Sequence, residues 1–277
     1  MMALGDRIKR QLKLAARGLT VIGEGKGPAK ICSRILTYHS VGERDHEMNV
    51  SAAAFGEQMQ WLSENAEVCS LAEAAKGAGG VAITFDDGYR DNLKVAAPML
   101  ADFDLRATVF IVAGRVGMRL AYDRDIETGA LMTWEEVREL ESMGWEIGAH
   151  TLTHQRLAEL SAAEQSLEIG ACTRLLEQNL GHAIEAFAYP YGSALDYDRR
   201  SKELVRENGY SFALSNRYGA VERGADRWAL RRIWIDRSDT MDSFRAKVRG
   251  GLDGLAWLDS PAGIRVRRTV NSLLRTG

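Results

Sequence analysis

A chain of 277 residues, 45% hydrophobic and 27% charged, is long enough for one large folded domain and has the composition of a water-soluble one. The formal net charge of −2 is unevenly spread: residues 1–30 hold seven basic and two acidic residues, residues 258–277 hold four arginines and Asp259, and the acidic excess lies between them. An acidic body with basic ends excludes a nucleic-acid-binding domain, whose basic patch would lie on the folded part.

In chain order, residues 1–30 read as a basic extension. Arg7, Lys9, Arg10, Lys13 and Arg17 alternate with Ile8, Leu12, Leu14 and Leu19, a pattern compatible with an amphipathic helix on anionic lipid and so with peripheral membrane contact. Lys13 and Arg17 interrupt the apolar positions between Leu12 and Ile22, so no secretion signal is visible. No stretch approaches the roughly 20 apolar residues of a spanning helix, and a cytoplasmic location is expected. From residue 31 onward short apolar runs alternate with amphipathic stretches. The expected strands are Arg34–His39, Val81–Asp86, Ala107–Val112, Trp145–Ala149, Ala186–Tyr189, Tyr210–Leu214 and Leu230–Ile235. The expected helices are Ala52–Asn65, Asp91–Phe103, Thr133–Met143, Ser161–Asn179, Asp198–Glu207 and Thr240–Arg249. Thr133 and Ser161 precede Glu136 and Glu164 at capping-box spacing, and Gly144 and Gly209 follow helix ends where a left-handed residue is wanted. This alternation over residues 31–250 predicts an α/β domain with a mainly parallel sheet. A distorted, incomplete (β/α) barrel of about seven parallel strands is favoured over a doubly wound sheet, because polar residues recur at the strand ends. Residues 251–277, with Arg265, Arg267, Arg268 and Arg275, read as a basic tail.

Four apolar runs finish in reactive side chains: His39, Asp86-Asp87, His150 and Tyr189-Pro190-Tyr191. In a parallel barrel the C-terminal strand ends share one face, so residues far apart in sequence converge there. His150-Thr151-Leu152-Thr153-His154 sets two histidines at i and i+4, a spacing that puts both on one face of a helical turn within reach of one ion. Thr84-Phe85-Asp86-Asp87-Gly88 brings two neighbouring carboxylates to a strand end, where their repulsion calls for a cation or strong donors. A capping turn for the helix near Asp91 accounts for one of them and leaves the other unexplained. Two histidines and one carboxylate, with open positions left over, make a catalytic rather than a structural metal site. Cys32, Cys69 and Cys172 match no zinc or redox spacing and are expected to be reduced. The second aspartate is then free to act as a base.

These segments, followed by Phe187-Ala188-Tyr189-Pro190-Tyr191-Gly192, resemble the successive motifs of the polysaccharide deacetylase family (NodB-homology, carbohydrate esterase 4), over about residues 31–250. The resemblance implies a metal-dependent hydrolase that removes N-acetyl groups from amino sugars of a glycan or glycolipid, on a distorted barrel of fewer than eight strands. By it, Asp86 is the general base, and Asp87, His150 and His154 hold a divalent ion, zinc foremost, with Co²⁺, Ni²⁺, Mn²⁺ and Fe²⁺ also suited. The backbone N–H of Tyr191 would help hold the tetrahedral oxyanion. Two positions depart from the pattern. Ala188 stands where many members carry an arginine that orients the base, and no histidine follows His182, so the usual late acid histidine is missing. Thr37-Tyr38-His39-Ser40-Val41 and the arginine-free third motif resemble instead the subgroup acting on poly-N-acetylglucosamine, in which the acid histidine lies at the start of the domain. That implies His39 as the general acid and Arg232 as the replacement arginine. Strand alternation lets only one of Arg231 and Arg232 look into the barrel. Asp236 is expected to border the site, and His46 and His182, in polar contexts, to lie on the surface.

Three other readings compete. Amide or formyl hydrolysis on a non-polymeric substrate needs the same site. Non-haem iron(II) chemistry also uses two histidines and a carboxylate, but the adjacent aspartates and the barrel pattern argue against it. A catalytically inactive carbohydrate-binding homologue is disfavoured by the intact Asp86, Asp87, His150 and His154.

Overall fold

The structure, a computed structural model, describes residues 31–119, 129–260 and 263, so residues 1–30 and the arginines expected in the basic tail lie outside the described residues. Among the described residues nine strands follow in chain order: β1 (Arg34–Tyr38), β2 (Ser40–Val41), β3 (Asn49–Val50), β4 (Val81–Phe85), β5 (Thr108–Ile111), β6 (Glu146–Ala149), β7 (Ala186–Ala188), β8 (Phe212–Tyr218) and β9 (Leu230–Trp234). Seven of them, in the order β1-β4-β5-β6-β7-β8-β9, form a closed barrel, every pair parallel, and these are the seven strands expected from sequence. Closure joins β9 to β1 through the pairs Leu36↔Ile233 and Thr37↔Trp234. The short ribbon β2–β3, not foreseen, follows β1 directly.

Strand alternation sorts the side chains into two separate buried clusters. Ile35, Ala82, Phe110, Ala186, Ala188, Phe212, Leu214 and Leu230 belong to one, inside the barrel. Their neighbours Leu36, Ile83, Phe85, Val109, Ile111, Phe187 and Ile233 face outward into the layer under the helices. A fully buried side chain of this kind contributes about 1.5–3 kcal/mol. The parity that points Ala82 and Thr84 inward carries on to Asp86, just beyond the strand; likewise Ile35 and Thr37 lead to His39.

The helices are α1 (Ala52–Asn65), α2 (Leu71–Ala74), α3 (Ala97–Ala101), α4 (Trp134–Ser142), α5 (Ala162–Leu180), α6 (Arg199–Glu207) and α7 (Met241–Arg249). Both expected capping boxes are formed, at Thr133/Glu136 and Ser161/Glu164. Gly144 and Gly209 take φ of 88° and 89°, as their places after helix ends require. The helix expected over Asp91–Phe103 is present, but its Asn92–Ala96 part is wound as a wide π-helix that runs into α3. Pro98 has no N–H to give the ladder, and the N–H of Ala97 reaches back five residues to the Asn92 carbonyl.

The chain from 251 does not leave the body at once. A 3₁₀ turn, Asp253–Asp259, docks on it: Arg34 of β1 donates to both oxygens of Asp253 at 2.9 and 2.8 Å, and Asp259 accepts from the Tyr218 N–H at 3.0 Å. Among the described residues, no helix is long and apolar enough to cross a membrane.

Candidate active site

The strand ends gather the expected residues at one mouth of the barrel. Adjacent residues of an extended strand point to opposite sides, so Asp86 and Asp87 cannot both face the mouth by pleat alone. Asp87 leaves the strand at φ 75° and Gly88 follows at φ 79°, which turns the second carboxylate back toward the mouth. At Gly88 a Cβ would also meet Ile111 at 2.8 Å.

Asp87 Oδ1 lies 3.6 Å from His150 Nε2 and 3.3 Å from His154 Nε2. One ligand atom from each of Asp87, His150 and His154 falls within 4.8 Å of the other two, the geometry of a three-ligand metal site. The Nδ1–H of His150 donates to the Ala188 carbonyl at 2.7 Å, which fixes the tautomer that leaves Nε2 for the ion. Burial pushes both imidazoles down to about 4, so at neutral pH they are in the uncharged, ligating form. A divalent ion therefore fits this donor set.

The two histidines do not share a helical turn, as their i, i+4 spacing suggested. Residues 150–154 form an irregular loop after β6, with Thr151 and His154 in the left-handed region at φ 63° and 66°. The rings nevertheless meet, with centroids 4.9 Å apart.

Asp86 is fully buried beside this trio. Arg232 reaches across from β9 and holds it in a fork, Nη1 to Oδ1 and Nη2 to Oδ2, each at 2.7 Å. The same guanidinium donates from Nε to the Ser215 carbonyl at 3.1 Å and lies 5.6 Å from the centre of the Phe110 ring. Burial alone would raise the Asp86 pKa, but the charge of Arg232 and its hydrogen bonds to the carboxylate outweigh it and hold the carboxyl well below the usual range. Removing one partner of such a buried pair costs about 3–5 kcal/mol. Arg232 thus occupies the barrel interior that Ala188 leaves open, while Arg231 points outward and donates to the Tyr218 carbonyl at 2.7 Å.

His39 is buried, 7% exposed, and packs on Trp234 with centroids 5.8 Å apart. The Asn92 amide donates to the His39 carbonyl at 2.8 Å, and Ser40 donates to Asp91 at 2.5 Å. Asp91, Asn92 and Ser40 were not singled out from sequence. Tyr191, at φ 59°, sets its ring 4.9 Å from that of His154, with the Arg156 guanidinium 3.7 Å above it and paired to buried Asp196. Asp236, expected to border the site, caps its own turn, accepting from the N–H and hydroxyl of Ser238. A polar groove of about 400 Å³ lies between the Gly42–Ser51 and Asp236–Asp239 loops, which follow β1 and β9. His182 is exposed and paired with Glu141, and His46 sits in the β2–β3 connection, where its Nδ1 accepts from the Met48 N–H.

The sequence and structure comparisons agree with this geometry. YxkH of Bacillus subtilis (strain 168) is 26% identical over 230 residues, spanning 80% of this chain and 77% of its own length. The poly-beta-1,6-N-acetyl-D-glucosamine N-deacetylase of Staphylococcus aureus (strain MRSA252) is 25% identical over 224 residues, 75% of this chain and 74% of that protein. The fold matches Streptococcus pyogenes deacetylase PplD at a TM-score of 0.69 and 21% identity, covering 79% of this chain and 99% of that one. It matches IcaB from Ammonifex degensii at 0.66 and 24%, covering 79% and 96%. The family model for polysaccharide deacetylases spans residues 73–213, from α2 through the aspartate and histidine motifs into β8, and with just over half of its length so matched the chain belongs to the polysaccharide deacetylase family.

Proposed function

We propose that this chain is a zinc-dependent N-deacetylase that hydrolyses the acetamido group of amino sugars in a glycan or glycolipid. The observation that carries the reading is the buried Arg232–Asp86 fork set against the Asp87–His150–His154 trio, with His39 close by. A bound zinc ion would polarise the acetyl carbonyl and make a water nucleophilic near neutral pH. Asp86, kept ionised and aimed by Arg232, is the acceptor for the proton of the attacking water. His39 donates the proton that the departing sugar nitrogen needs. The Tyr191 backbone N–H supports the oxyanion. The likeness to a protein named for deacetylating poly-N-acetylglucosamine supports a β-linked N-acetylglucosamine substrate.

The test is release of acetate and free amine, in equal amounts, from N-acetylglucosamine oligomers. Turnover of N-formyl or non-sugar amides with the oligomers untouched would favour the amide-hydrolase alternative. The ligand histidines make a second expectation. Their pKa values, depressed to about 4, leave protons competing for the ligand nitrogens only in acid. Metal content after dialysis should hold down to about pH 5 and fall near pH 4. The unfolded chain protonates the same groups at about pH 6.5, so apoprotein stability should decline as pH drops from about 6.5 toward 4. Metal loss already between pH 6 and 7 would contradict the assignment.

A further inference from the structure

We propose that Glu168, on α5 outside the barrel, is the positioning residue that sets the metal affinity of the Asp87–His150–His154 site, acting through Thr153. This rests on the reading that the trio holds a metal ion. Glu168 is a buried carboxylate, 7% exposed, on a helix that supplies no ligand. Its Oε2 accepts from the Thr153 N–H at 2.8 Å and its Oε1 from the Thr153 hydroxyl at 2.5 Å, while its backbone carbonyl accepts from the Leu152 N–H at 3.0 Å. Three donors of the segment between the ligand histidines thus end on one residue.

The segment needs such a hold. Thr151 and His154 both sit in the left-handed region, which is sterically unfavourable for side-chain-bearing residues and worse for a β-branched one. A free loop of this sequence would relax toward ordinary backbone angles and carry the His154 ring away from Asp87. The opposite side of the loop is pinned as well. The N–H of Gly114 donates to the Leu152 carbonyl at 2.8 Å and that of Ala113 to the Thr151 carbonyl at 3.2 Å. A Cβ on Gly114 would come within 2.6 Å of that Leu152 oxygen. Cys172, one turn beyond Glu168, is fully buried on the same face of the helix. The loop is therefore sandwiched between the turn after β5 and α5, and Glu168 is the charged residue of that clamp. Side chains that orient ligands from outside the coordination sphere typically change metal affinity by about 10–100-fold.

The test compares zinc dissociation constants, measured by competition with a chromophoric chelator, for the wild type, Glu168→Ala, Glu168→Gln, Thr153→Val, the Glu168→Ala/Thr153→Val double variant and Leu176→Ala. Leu176 is fully buried on α5 away from the loop, so its variant loses stability without touching the clamp. Glu168→Ala and Thr153→Val should each weaken zinc binding about 10–100-fold, the double variant no further than either alone. Glu168→Gln should recover part of the loss, because an amide can accept from the Thr153 N–H and donate to its hydroxyl. Leu176→Ala should melt lower yet bind zinc as the wild type does. Equal affinity in folded Glu168→Ala, or an equal loss in Leu176→Ala, would overturn the proposal. A wild-type protein that binds no zinc would instead overturn the metal reading on which it stands.

Discussion

Asp86→Asn is expected to keep its metal and lose about 10²–10⁴-fold in turnover, the range for a positioned acid or base, whereas Asp87→Ala is expected to lose the ion. The two carboxylates are neighbours in sequence but belong to different sets. Asp87 Oδ1 lies within 3.6 Å of both ligand nitrogens. Asp86 spends both oxygens on Arg232 and keeps a lone pair on each for a proton. Its depressed pKa guarantees an ionised acceptor across the working pH range, and the fork fixes where it points. An asparagine retains the shape but not the charge, and it leaves Arg232 buried without its counter-ion, so the variant should also melt lower. Metal content and turnover must therefore be measured on protein shown to be folded. Normal hydrolysis by folded, metal-loaded Asp86→Asn would remove Asp86 from the role of base.

His39→Ala should leave metal content close to that of the wild type and cut turnover a hundredfold or more, about the lower end of the same range. The nitrogen of an amide cannot leave as an anion at neutral pH, so some group must protonate it, and histidine is the side chain that ordinarily titrates nearest neutrality. Of the five histidines, His150 and His154 belong to the metal site, His182 is exposed on a salt bridge to Glu141, and His46 lies in the β2–β3 connection. Of the three histidines outside the metal site, only His39 is buried. An acid must be protonated to act, so activity falls as pH rises through its titration, and the variant should lose that alkaline limb. His182→Ala should behave as the wild type. A full alkaline limb in His39→Ala, or an equal loss in His182→Ala, would reassign the acid.

Much of the barrel was legible because its strands are short apolar runs closed by chemistry-bearing residues, and because capping boxes and glycines marked the helix ends. The choice between Arg231 and Arg232 was open in sequence, since alternation says only that they face opposite ways. It is settled by register: Arg232 shares the inward parity of Leu230, and its fork meets Asp86. The backbone of the His150–His154 loop was not legible, because left-handed angles at Thr151 and His154 come from tertiary contacts and not from glycine or asparagine at those positions. Glu168 left a trace that could have been followed. It falls on the buried stripe of α5 with Gln165, Ile169, Cys172 and Leu176, a place where a carboxylate needs a buried donor. The π-turn at Asn92–Ala96 had only Pro98 to announce it.

The central claim, that hydrolysis depends on one ion held by Asp87, His150 and His154, is tested most directly by titrating metal-stripped protein with zinc while following acetate release from N-acetylglucosamine oligomers. Activity should be absent at the start, rise in proportion to added zinc and level off at about one ion per chain. Full activity in the stripped protein, or a rise that ignores the stoichiometry of the single site, would contradict it.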